Sequence, residues 1–121
     1  MSRKILVVDD DPDIVAVTEA RLKLSGYDVH TAVNGLEGLE IARQLKPDLV
    51  ILDIIMPEMD GFTLYNELKK DEEIAHIPIV ILTALARLED PFRAMGVEEF
   101  IAKPISPHDL VIKVENILNR P

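Results

Sequence analysis

Asp9, Asp10, Asp11, Asp53, Thr83 and Lys103 are the residues of this chain whose types and places ask for chemistry. Each follows a short apolar run: Lys4–Val8, Leu49–Leu52, Ile79–Leu82 and Phe100–Ala102. A carboxylate at the end of a buried run is expensive unless it has a partner. Clustered carboxylates repel, so one of them takes up a proton unless a cation is present. Aspartates with room for water make a hard-cation site, and Mg²⁺ commonly takes one or two carboxylates, waters and a phosphate oxygen. A lysine opposite them would neutralise an incoming anion, and a threonine would donate a hydrogen bond to it. The set reads as carboxylates, Mg²⁺ and a phosphoryl group, with Asp53 as the candidate nucleophile. In phosphoryl transfer a protein mostly positions groups and balances charge, which these residues can do.

The elements that must position them follow from the hydrophobic pattern. Leu49 to Asp53 is short and rich in branched residues, the pattern of a strand buried on both faces. Lys4–Val8, Ile79 to Thr83 and Phe100–Ala102 read the same way, and Tyr27–Ala32 reads as an edge strand. Between them lie helical segments. The first begins at Asp11-Pro12, carries Ile14, Val17, Leu22 and Leu24, and stops near Gly26. The second follows an Asn34-Gly35 turn, and the third runs from Gly61 to about Asp71. Residues 87–96 form a short fourth helix with Pro91 near its start. Ser106-Pro107-His108-Asp109 is a capped start to the fifth, which buries Leu110, Val114, Ile117 and Leu118. Five strand–helix units in strict alternation predict an α/β fold: a doubly wound parallel sheet with helices on both faces and right-handed crossovers. Sites in such sheets lie outside the carboxyl ends of the strands, where the six residues fall.

The 121 residues make one domain, 1–121, with 48% apolar and 29% charged residues. No cysteine is present, which excludes disulfides and thiolate chemistry. No apolar stretch is long enough for a membrane span, so a cytoplasmic protein with no membrane partner is expected. A net charge of −9 argues against direct nucleic-acid binding.

In order, Val7-Val8-Asp9-Asp10-Asp11, Leu52-Asp53, Met56-Pro57-Glu58-Met59-Asp60-Gly61, Leu82-Thr83-Ala84 and Ala102-Lys103-Pro104 make a specific set. On these motifs the whole chain resembles the receiver (CheY-like) domain of bacterial two-component response regulators. The resemblance implies a flavodoxin-like sheet of order 2-1-3-4-5. It implies that Asp53 accepts a phosphoryl group from the phosphohistidine of a sensor histidine kinase or phosphotransfer protein. Asp10, Asp53 and the Ile55 backbone carbonyl would hold Mg²⁺, with Asp9 helping through water. Thr83 would bind the phosphoryl group and move toward it, Lys103 would pair with it, and the Lys103–Pro104 peptide would be cis. Phe100 holds the aromatic switch position, and Ile14, Pro104 and Ile105 match the kinase-docking patch. The family's output surface, the fourth helix, fifth strand and fifth helix, would act on a downstream domain or protein, in a monomer or a phosphorylation-dependent dimer. Beyond Mg²⁺-assisted self-phosphorylation and slow self-dephosphorylation, no enzyme is expected.

Two departures from the family pattern stand out. The stretch from Thr83 to Gly96 is short and contains Pro91, and Phe100 lacks a hydroxyl. Three other functions compete with this one. A Mg²⁺-dependent aspartyl-phosphate hydrolase would use the same acids and lysine, but Ile55 stands where it would need a proton donor. A nucleotide or flavin module lacks its glycine-rich loop after the first strand. A receiver kept only as a scaffold would not need the full site. The motifs also have plainer roles. Asp9–Asp11 suit a helix N-terminus without any ligand, and Lys103 could snorkel at a strand end. His30, His76 and His108 have no metal-ligand spacing. Lys69–Glu73 reads as a solvated helix end, and Met56 and Met59 as turn packing.

Overall fold

The apolar runs pair into one parallel sheet of five strands, β1 (Lys4–Val8), β2 (Asp28–Ala32), β3 (Leu49–Leu52), β4 (Ile79–Thr83) and β5 (Glu99–Ala102). Their order across the sheet is β2-β1-β3-β4-β5. The structure is a computed structural model and describes residues 2–56 and 59–119; Pro57 and Glu58 of the central motif lie outside the described residues. The strands are joined by α1 (Pro12–Leu24), α2 (Gly35–Leu45), α3 (Gly61–Lys70), α4 (Glu89–Ala94) and α5 (Pro107–Leu118).

Alternation along the strands divides the core in two. Leu6, Val8, Val50, Leu52, Ile79, Ile81 and Phe100 face one way, against α2, α3 and α4. Ile5, Val7, Leu49, Ile51, Val80, Leu82 and Ile101 face the other, against α1 and α5. β3 and β4 are buried throughout, as two-sided strands require. β2 is half-buried at His30 and Thr31, as an edge strand allows.

Short polar residues start the helices. The Asp11 carboxylate accepts the Asp13 N–H at 3.0 Å, Asn34 the Glu37 N–H at 2.8 Å, Asp60 the Thr63 N–H at 2.8 Å, and Ser106 the Asp109 N–H at 3.1 Å. Each satisfies a donor the first turn cannot pair internally. Asn34 is therefore a helix cap and not only part of a turn. Gly96, with φ +88°, closes α4.

Three local expectations change. In α1 the buried pair is Thr18 and Leu22, one turn apart, while Val17 and Leu24 are 52% and 82% exposed. They lie off the narrow stripe that meets the sheet. Lys69 is not simply solvated: its ammonium donates to the Ala75 carbonyl at 3.2 Å and lies 3.6 Å from Glu98, holding the connection into β4. The fourth helix is a 3₁₀ turn over Ala86–Leu88 followed by six α-helical residues, of which only Phe92 is buried. Pro91 lies in its first turn, where a missing N–H is cheapest.

Gly61 fixes the join between β3 and α3. A Cβ there would meet the Asp53 carbonyl oxygen at 2.1 Å and the Ile54 Cα at 2.6 Å. Both are backbone atoms, so no rotamer relieves the clash. Gly61→Ala is expected to cost about 2 kcal/mol or more, a fall in Tm of roughly 8 °C for a chain of this size. Thermal unfolding checks it, and an unchanged Tm would mean the loop yields freely.

Candidate functional site

Backbone hydrogen bonds that continue the parallel ladder past the strand ends place three of the site's side chains. The Asp9 N–H donates to Ala32 of β2 at 3.1 Å, the Asp53 N–H to Val8 of β1 at 3.0 Å, and the Lys103 N–H to Thr83 of β4 at 2.8 Å. The register that pairs the apolar runs therefore also brings their polar ends to one edge of the sheet.

There the Lys103 side chain reaches across the end of β4. Its ammonium donates to Asp9 Oδ2 at 2.8 Å and to Asp53 Oδ2 at 3.0 Å. The other Asp53 oxygen accepts the Ile54 N–H at 2.6 Å, and the other Asp9 oxygen accepts the Asp11 N–H at 3.0 Å. Both carboxylates are thus held at both oxygens. Burial pushes the Asp9 carboxyl above the usual carboxylate range, against the pull of Lys103 and the Asp11 amide. Burial also opposes the charge on Lys103, but its hydrogen bonds to Asp9 and Asp53 and their charges outweigh it and raise the ammonium above the ordinary lysine value. The two shifts favour different members of the pair. The lysine's governs, because it serves two carboxylates at once, and Lys103 is held as a cation.

Asp10 is exposed, yet one carboxylate oxygen from each of Asp9, Asp10 and Asp53 lies within 4.8 Å of the others. Oxygen donors on one side and open solvent on the other suit a hard divalent cation that keeps several waters. The donor set fits Mg²⁺.

Thr83 ends β4, fully buried, and its hydroxyl accepts the Leu85 N–H at 3.4 Å. It borders the cluster without joining its hydrogen bonds. Thr83 lies opposite Ala102 and Ile81 opposite Phe100, so Thr83 and Phe100 project from the same face of the sheet. Phe100 is buried among the residues facing α3 and α4. The Ile55 side chain is exposed beside Asp53. Ile14, Pro104 and Ile105 line one open groove of about 340 Å³ between α1 and α5, with Lys103 in its wall. The Lys103–Pro104 peptide is cis. The amides of Ile54 and Asp11 were not legible in the sequence, because a backbone donor carries no side-chain signature. The aromatic surroundings of Phe100 were missed too, since Phe62, Tyr65 and Phe92 come from distant segments.

A five-stranded parallel sheet of this order, with three carboxylates and a lysine at its carboxyl edge, defines a flavodoxin-like α/β module with its site at the strand ends. A family model described as the response regulator receiver domain matches residues 5–115, and the chain belongs to that family, whose members are signalling domains of two-component systems. It is 39% identical over 97% of its length to the DNA-binding dual master transcriptional regulator RpaA of Synechocystis, covering 49% of that protein. It is 40% identical over 97% of its length to the response regulator PleD of Caulobacter vibrioides, covering 26% of it. The chain thus spans about half or less of the curated relatives it matches. Among solved structures, a putative response regulator from Chloroflexus aurantiacus superposes with a TM-score of 0.90 at 33% identity, over 99% of this chain and 100% of that one. The Vibrio cholerae chemotaxis protein CheY4 gives 0.89 at 28% identity, over 97% and 99%. Among the described residues, no helix is long and apolar enough to cross a membrane.

If the three aspartates hold the cation, Mg²⁺ at about 100 times its Kd should stabilise the fold by roughly 2.7 kcal/mol through mass action. Asp10→Ala should lose most of the resulting rise in Tm. An equal rise in that variant would place the cation elsewhere.

Proposed function

We propose that residues 1–121 work as one phosphorylation-activated switch in which Asp53 is the acceptor. The observation that carries this is the Asp53 carboxylate itself, held by the Ile54 amide and Lys103 beside two further aspartates. A carboxylate oxygen of Asp53 attacks the phosphorus of a phosphohistidine on a histidine kinase or phosphotransfer protein. The new O–P bond forms as the P–N bond breaks, and the imidazole nitrogen keeps the electron pair. Asp10, Asp53 and the Ile55 carbonyl would hold Mg²⁺ directly, with Asp9 acting through water. Mg²⁺, when bound, would offset charge on the phosphoryl oxygens.

Lys103, already a cation between carboxylates, pairs with the arriving phosphoryl group. Thr83 gives up its long bond to the Leu85 amide and donates its hydroxyl to that group. Because Thr83 and Phe100 share a sheet face, displacement of one changes the room available to the other. Phe100 has no hydroxyl, so this step works by packing. The groove lined by Ile14, Pro104 and Ile105 lies beside Lys103 and suits an apolar helical face of the donor protein. The output acts through a downstream domain or protein. Relatives at about 40% identity are described as transcriptional regulators, which makes transcription the first pathway to test.

Labelling with a small acyl-phosphate donor and Mg²⁺ should mark the wild type and not Asp53→Asn. Label on both, or on neither, overturns the assignment. Ile55 is 57% exposed and apolar beside the acceptor, a position from which it and the half-buried Leu85 hinder attacking water. Ile55→Asn should speed loss of the phosphoryl group on the order of tenfold, about 1.4 kcal/mol of barrier. An unchanged half-life would remove Ile55 from the account.

A further inference from the structure

The chain has five aromatic side chains and no tryptophan. Four of them form one connected group, with Phe92 at its centre. Its ring lies 6.2 Å from Phe100 of β5, tilted by 33°. It lies 5.8 Å from Tyr65 and 5.8 Å from Phe62 of α3, at 84° and 68°, both edge to face. Phe92 is 1% exposed and is the one buried residue of α4. Phe92 is thus the fully buried anchor of α4, flanked by the partly buried Leu88 and Met95 packed against the same core. Polar links at the rim add to these: Arg93 to Glu99 at 3.1 Å, and the Tyr65 hydroxyl to the Met95 carbonyl at 3.4 Å.

We propose that Phe92 couples Phe100 to Phe62, so that α4 and the first turn of α3 respond to the phosphorylation site as one unit. The inference rests on Asp53 being the acceptor. A close-packed interior does not deform continuously, and a ring wedged among three others moves only when they repack. Edge-to-face pairs also have a geometric preference beyond the area they bury. At one end of the group, Phe100 shares a sheet face with Thr83. At the other, Phe62 follows Gly61, whose backbone lies against the Asp53 carbonyl. Each end of the aromatic group is thus linked toward the acceptor through a neighbour, Thr83 at one and Gly61 at the other, and Phe62 is 47% exposed, so its reorientation changes the surface. In a longer fourth helix several buried residues would share this attachment; here Phe92 is the one fully buried residue of α4.

The test uses beryllofluoride with Mg²⁺ as a phosphoryl mimic and reads the protein by NMR. The amides of Asp53 and Thr83 report loading, and the ring of Phe62 reports coupling. In the wild type all should shift. In Phe92→Leu the amides should shift as before, while the Phe62 response falls by about half or more, as loss of a coupling energy between sites requires. If Phe92→Leu does not fold, Phe100→Leu removes the first ring instead, and the Phe62 response at matched occupancy should fall likewise. An undiminished Phe62 response in the variants, or none in a loaded wild type, overturns the coupling alone. No response at Asp53 in the wild type overturns the acceptor assignment, and the coupling with it.

Discussion

A lysine ammonium 2.8 Å from Asp9 and 3.0 Å from Asp53 lets two buried carboxylates occupy adjacent strand ends. Two like charges about 4 Å apart repel by roughly 4 kcal/mol at the effective dielectric of a protein surface. The ammonium sets an opposite charge against both of them. Lys103 therefore does more than await an anion. Its hydrogen bonds to both acids outweigh its burial and raise the affinity of the ammonium for its proton. The lysine comes from β5, beyond β4, so only a long side chain can span the gap.

That arrangement depends in turn on register. The amides of Asp9, Asp53 and Lys103 are bonded to the carbonyls of Ala32, Val8 and Thr83. A slip of one residue in any of these pairings would turn the polar end away from its partners and the apolar run away from its core. Burial of the strands thus enforces the geometry of the site. Gly61 adds a constraint from the other side, since its missing Cβ is what lets α3 begin against the Asp53 backbone.

Much of this was legible in the sequence because the signals were local and strong. Apolar runs gave the strands, caps such as Ser106 and Asp11 gave the helix starts, and a polar residue after four of the five runs marked the edge where they gather. What escaped was set by tertiary packing. Val17 and Leu24 look like core residues by type, but the stripe of α1 that meets the sheet passes through Thr18 and Leu22. Lys69 looks solvated in a charged run, yet it is drawn onto the Ala75 carbonyl and Glu98. The amides that orient Asp53 and Asp9 belong to the backbone, and no residue type announces them.

The sheet also separates what surrounds the site. Ile105 and the groove it lines belong to the core shared with α1 and α5, whereas Phe100 and Phe92 belong to the core shared with α2, α3 and α4. The Asp53 carboxylate lies at the carboxyl edge of the sheet, bonded to Lys103, which also lines the groove. A donor protein docked in the groove would approach from one side of the sheet, as proposed above, while the consequences of phosphorylation would spread through Thr83 and the aromatic rings on the other. Input and response then need not compete for the same surface. A six-residue helix with one fully buried ring suits the responding side, because few buried contacts have to be broken for it to move.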